Sequence, residues 1–201
     1  MTHMINRCTP LVVILLSALL LGGCVGFLQN PRERANQAIE DANESVTKHN
    51  ELFEQARQTY ADVKKKIDSG EDPSKLRGRI TDAKHTLEEA RLHLDDARDS
   101  LGRVQDLDVN QTIKEYARLL SGAMDIQLAA EAKEVEFYDL LEEDPALENN
   151  RKKALDLLSE VGTGYKKAEK AYEQAQDFAD SHPDTIEATP RGNENKQGGG
   201  G

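Results

Sequence analysis

Tryptophan is absent from this 201-residue chain, aromatic side chains make up 4% of it, and its only two cysteines, Cys8 and Cys24, lie near its start. From residue 25 onward there is no thiol, so the body carries no disulfide, thiol nucleophile or cysteine zinc site. A body without disulfides has to stabilise itself by packing. With so few large rings, that packing rests on alanine and aliphatic residues, a composition that favours long helices. Positive charge is also short: 26 Lys and Arg stand against 37 Asp and Glu, a formal net charge of −11. Such a chain is repelled by nucleic acid and by anionic lipid heads, so nucleic acid is not an expected partner. The motif set is equally bare. There is no His-Glu-x-x-His, no Gly-x-Ser-x-Gly and no phosphate-binding glycine loop. No histidine follows a glutamate by three residues, which excludes the paired Glu-x-x-His of di-iron bundles. Gly162-Thr163-Gly164-Tyr165-Lys166 lies inside a helical heptad, not after a strand, and is no phosphate loop. No cofactor is expected, and no enzymatic activity.

What is present begins with Arg7, the one lysine or arginine of the first 23 residues, followed by an apolar run from Leu11 to Leu21 broken only by Ser17. Eleven residues suit the ~7–15 of a secretory h-region and fall short of the ~20 needed to cross a bilayer. Extended through Gly22, Gly23, Val25 and Phe27 to Leu28, the uncharged stretch reaches borderline spanning length, and an uncleaved anchor is the competing reading. Leu21-Gly22-Gly23-Cys24 at the end of the run resembles the lipobox of bacterial lipoproteins. That resemblance implies removal of residues 1–23 and a diacylglycerol on Cys24, often with a third acyl chain on the new amino group. Two or three acyl chains hold a soluble domain stably where one does not. Loss of Arg7 makes the remaining chain one unit more acidic. Val25 stands where the family's inner-membrane retention signal is aspartate, so the outer membrane is favoured in an organism with two.

Residues 31–181 read as four helices, about 31–69, 73–106, 109–143 and 145–181, after a short linker at 24–30. The first seam runs Ala35, Ile39, Ala42, Val46, His49, Phe53, Ala56, Tyr60, Val63, Ile67, alternating steps of four and three. The second runs Leu76, Ile80, Ala83, Leu87, Ala90, Leu94, Ala97, Leu101, Val104. The fourth runs Leu147, Ala154, Leu158, Val161, Tyr165, Ala168, Tyr172, Ala175, Ala179. The third, from Ile113 through Met124 to Val135, keeps a longer average spacing, so its apolar face drifts around the axis. Asn30-Pro31, Asp72-Pro73 and Asp144-Pro145 each pair an N-cap with proline at the first helical position. Glu33 adds a near capping box at Asn30, and Gly70 is placed to end the first helix. Rods of matched length joined by short turns predict an all-α, elongated, antiparallel four-helix bundle with coiled-coil-like heptad packing. The alternative is a pair of hairpins that completes its core as a homodimer. Residues 182–201, Gly-rich at the end, read as a disordered tail.

Two constellations could carry chemistry. His85, Glu89 and His93 form a stripe at i, i+4 and i+8 on the second helix, two imidazoles and a carboxylate of the type that binds transition metals. The stripe lies off the Leu87/Ala90/Leu94 seam, where an exposed polar face is the plainer reading. Matching heights at ~1.5 Å per residue places His49, Gln127, Glu131, Ala90, Gly162 and Gly164 in one mid-bundle layer. It is a polar layer poor in bulk, suited either to a small pocket or proton-sensitive site, or to fixing register while the glycines permit close packing.

The whole arrangement of lipobox, long charged helical body and length resembles the helical lipoproteins described as cell-wall-binding. Glu136-Phe137-Tyr138-Asp139-Leu140-Leu141 is similar to a tyrosine-leucine patch in that family's third long helix. The resemblance implies a non-enzymatic scaffold or binding module, held to a membrane through Cys24 and facing an envelope protein or cell-wall component. The alternative is a small-ligand or metal carrier using the mid-bundle layer.

Overall fold

The computed structural model describes residues 30–186, and every regular element in it is helical. α1 spans Pro31–Asp68, α2 Arg77–Gly102, α3 Gln111–Glu143 and α4 Arg151–Asp180, with short 3-10 turns at Pro73–Leu76 and Arg103–Asp106 flanking α2. The 38 residues of α1 make a rod about 57 Å long at 1.5 Å per residue. The leader, Cys24 and residues 187–201 lie outside the described residues. Among the described residues no helix is long and apolar enough to cross a membrane.

Local chemistry sets most of the boundaries. Asn30 accepts from the Arg32 N–H at 3.1 Å while its own N–H donates to Glu33 Oε2 at 3.3 Å, a reciprocal cap that starts α1. At the other end Gly70 takes a φ of 90°, the left-handed conformation that closes a helix cheaply only for glycine, and its N–H donates to the Ile67 carbonyl at 2.9 Å. Asp72 caps the 3-10 turn ahead of α2 through the Ser74 N–H at 3.0 Å. Asn110 caps α3 through the Thr112 N–H at 2.9 Å.

Asp144-Pro145 departs from the expected pattern, because α4 begins at Arg151 and not at Pro145. The Asp144 carboxylate instead accepts from the N–H groups of Glu148, Asn149 and Asn150, at 3.0, 2.8 and 3.3 Å. The chain makes an extra turn there, with Leu147 at a φ of 52°. From that turn Leu147 packs against the core cluster that includes Leu141 and Ala154.

Successive helices pack closely along their lengths, α1 on α2, α2 on α3 and α3 on α4. α1 and α4 approach one another at no more than isolated backbone points and meet through larger side chains. The predicted seams of α1 and α2 supply the core, from Ala35, Ala42, Ala56 and Val63 against Ile80, Leu87, Leu94 and Leu101. On α4 the seam is corrected by one position below mid-height: Leu157 is buried whereas Leu158 is 41% exposed. The residues expected to open a disordered tail are also corrected. Residues 181–186 fold back in turns, and Ile186 is buried against Tyr116 and Ala179. The start of α1, the α2–α3 turn and this C-terminal turn meet at one end, where Asn30, Arg32, Asp108, Asn110, Asp184 and Thr185 line a shared cleft.

Candidate functional site

Half-way along the bundle the apolar core is interrupted. His49 of α1 is 1% exposed and Glu131 of α3 is 0% exposed, and their Nε2 and Oε1 atoms are 2.8 Å apart. Gln127 lies one turn before Glu131 on α3 and donates from Nε2 to the same Oε1 at 2.9 Å. With Glu131 ionised, a carboxylate oxygen only accepts, so the imidazole Nε2–H donates to it. Nε2 then has no lone pair for Gln127, and the 3.4 Å approach between the two nitrogens is a contact that the shared carboxylate brings about. The other ring nitrogen, Nδ1, faces Asn50 Oδ1 at 3.0 Å. Glu131 Oε2 is buried and has no hydrogen-bond partner.

The predicted layer of His49, Gln127 and Glu131 is therefore brought together by the fold, and Ala90 is buried on the seam of α2. The two glycines separate. Gly164 lies against α3, where a Cβ would come within 2.6 Å of the Ala130 Cβ and 3.2 Å of its Cα. Gly162 is exposed, a Cβ on it would meet nothing, and it is not part of the layer. The reason is angular: two residues along a helix turn about 200°, so only one of the pair can face α3.

The cluster extends beyond the residues read from the sequence. Glu134, one turn after Glu131, accepts from the Tyr165 hydroxyl of α4 at 2.6 Å. Burial pushes the Glu134 carboxyl above the usual carboxylate range, against the pull of the Tyr165 hydrogen bond and the Arg57 charge, with Glu131 adding to the rise. Burial also keeps the Tyr165 and Tyr138 phenols protonated far above their ordinary value, reinforced by the charge of Glu134. The Tyr138 hydroxyl is a second buried group without a partner. Rings from three helices enclose the site. His49 stacks on Phe53 at 5.5 Å between centroids, Phe53 meets Tyr165 edge-on at 5.7 Å, and Tyr60 meets Tyr138 edge-on at 5.5 Å. At the surface the Arg57 guanidinium lies over Phe53, 5.2 Å from its centroid, and 6.0 Å from that of Tyr165.

Phe53, Tyr60 and Tyr165 were legible as seam positions, but not as the walls of a polar site. Glu131 and Glu134, three residues apart between apolar stretches of α3, are the sequence signal for the second carboxylate. Arg57 leaves none, since it sits beside a seam residue like many surface arginines.

The metal-type stripe does not form a site. His85 and Glu89 are exposed and His93 half-buried along α2. Among the described residues no three His, Cys, Asp or Glu side chains are grouped to hold a metal ion. An i to i+8 span covers about 12 Å of helix, too far for both imidazoles to reach one ion.

No protein-family model matches this chain, and neither does any curated protein or solved structure.

Proposed function

We propose that the chain is a lipid-anchored, non-enzymatic helical bundle, held to a membrane and facing outside the cytoplasm, that acts as a scaffold or binding module of the cell envelope. Its partners are an envelope protein or a cell-wall component, as in the cell-wall-binding helical lipoproteins that it resembles. The observation that carries this reading is Leu21-Gly22-Gly23-Cys24 at the end of an apolar run, six residues before the Asn30 cap. A linker that short keeps the Asn30 end of the bundle at the bilayer, together with the α2–α3 turn and the C-terminal turn that share its cleft. The turns at Gly70 and Asp144 then point away as the presenting tip. The body's acidity and its lack of a nucleophile or cofactor motif support a binding role over catalysis.

The test is crosslinking of the native envelope followed by mass spectrometry, with Cys24→Ala beside the natural chain. The expected result is an acylated N-terminus at Cys24, envelope neighbours in the crosslinks, and loss of membrane association in the variant. Recovery of the chain with its leader intact and unacylated would overturn the assignment.

A second reading, a small-ligand carrier, is favoured by Glu131 Oε2 and the Tyr138 hydroxyl, both buried without partners in the mid-bundle cluster. Buried polar atoms of native proteins are nearly always satisfied, by protein, water or ligand. A thermal-shift panel of metals, haem and lipids, with and without His49→Ala, tests it: a reproducible shift lost in the variant supports a carrier.

A further inference from the structure

We propose that the groove between α2 and α3 around Leu92 docks a basic peptide segment carrying one large apolar side chain. The inference rests on the binding role proposed above, not on the location, and names the chemistry of the partner.

Leu92 of α2 is 66% exposed, more than any other large apolar side chain among the described residues. Two residues turn a helix by about 200°, so Leu92 points away from the core that Ala90 and Leu94 face. With Leu128 of α3 it lines a groove of about 520 Å³, rimmed by Glu88, Glu89 and Asp95. At Arg98 the groove continues into a second depression of about 870 Å³, bordered by Asp96, Asp99, Asp106 and Asp125. From Glu88 to Gly102 this trough follows α2 for about 21 Å, the length of about six extended residues at ~3.3 Å each.

The trough's own arginines are already engaged. Arg98 is shared among Asp95, Asp99 and Asp125 at 2.7, 2.9 and 3.5 Å, and Arg103 pairs with Asp41 at 3.2 Å. Glu88, Glu89, Asp96 and Asp106 make no hydrogen bond or ion pair among the described residues. Free carboxylates on both sides of an exposed leucine call for positive charge spaced around one apolar anchor. The same carboxylates repel acidic partners and anionic surfaces. A second copy meeting through this face would set them against their like. Arg91 favours a peptide over a simple cationic amphiphile. It lines the groove with a buried Nε–H that has no acceptor, and a peptide backbone brings carbonyls that an alkylamine lacks.

The test is fluorescence anisotropy on the full chain in non-ionic detergent, at low and high salt. The probe is a labelled ten-residue peptide of glycine and lysine with one central leucine. Two control peptides replace the leucine by glycine or the lysines by glutamate. The natural chain is expected to bind the probe at least about tenfold tighter than either control, and less tightly as salt screens the charges. Leu92→Ser should weaken binding about three- to tenfold, a fraction of the transfer free energy of one leucine. Glu89→Lys with Asp96→Lys, both exposed, should weaken it at least about tenfold by bringing like charge to the rim. Leu155→Ser removes the exposed leucine of α4 and should leave binding unchanged. Circular dichroism should show the same helix content in all three variants, since none of these side chains lies in the core.

No binding of the probe, equal binding of the glutamate control, or indifference to Leu92→Ser overturns the inference. So does a dimer in sedimentation that Leu92→Ser abolishes, because a second copy would then be the occupant. If crosslinking finds envelope neighbours while the peptide fails, this surface is wrongly assigned and the proposed function stands. If the peptide binds while crosslinking finds no envelope neighbour, the groove stands and the envelope assignment falls.

Discussion

Gly164 of α4 and Ala130 of α3 touch so closely that a methyl group added to the glycine would sit 2.6 Å from the alanine's. The atoms it would strike are Cβ and Cα, which cannot swing aside. Alanine is favoured over glycine in a helix by ~1 kcal/mol, but overpacking a tight contact costs ~1–3 kcal/mol. Gly164→Ala should therefore destabilise the bundle. Gly162→Ala, with open space around it, should stabilise by up to ~1 kcal/mol. Urea unfolding followed by circular dichroism compares the two, and equal gains for both would disprove the close approach.

His49 and Glu131 share a buried hydrogen bond that neither can replace from solvent. Leaving one partner of such a buried hydrogen bond unsatisfied costs ~1–3 kcal/mol, whereas replacing both partners by apolar groups of similar shape can be nearly neutral or stabilising. His49→Ala is expected to lose about that much, and His49→Leu with Glu131→Leu to recover most of it. A double-mutant cycle in urea measures the coupling, and additive single effects would mean that the contact contributes nothing.

Tyr60, Tyr138, Tyr165 and Tyr172 are all held above the ordinary phenol value of 10.0, chiefly by burial. The unfolded chain ionises these phenols near that value while the folded chain keeps their protons. The folded state thus binds more protons, so stability falls as pH rises through 10 and beyond. Because the chain has no tryptophan, tyrosinate absorbance reports this cleanly. It should rise together with loss of helix, and a smooth titration near pH 10 in an intact bundle would contradict the burial.

Asp144 titrates in the opposite sense. The backbone N–H groups of Asn149 and Glu148 hold its carboxyl below the ordinary 3.8. Its contribution is full above that value and is lost as pH falls through the lowered folded value. Asp144→Ala should speed amide exchange at residues 148–150 while leaving the Asn30 end unchanged, and unaltered exchange at 148–150 would remove the capping role.

The all-helical bundle and the cores of α1 and α2 were legible because their heptads are strict and their ends carry Asn, Asp, Pro and Gly in the positions that caps require. Height counting along straight rods was enough to gather His49, Gln127 and Glu131, since rise per residue is nearly constant. Rotation about the axis is less constrained, which is why Gly162 and Leu158 were placed on the wrong face.

Periodicity and composition therefore determine on their own that this chain makes long helices, which stripes they bury and that a polar layer crosses their middle. Tertiary packing alone decides that Asp144 caps an extra turn, that Ile186 is covered, and that Arg57, Phe53, Glu134 and Tyr165 converge between α1 and α4. A heptad specifies that a side chain points inward, but the spacing of two helices distant in sequence depends on the volume of everything packed between them.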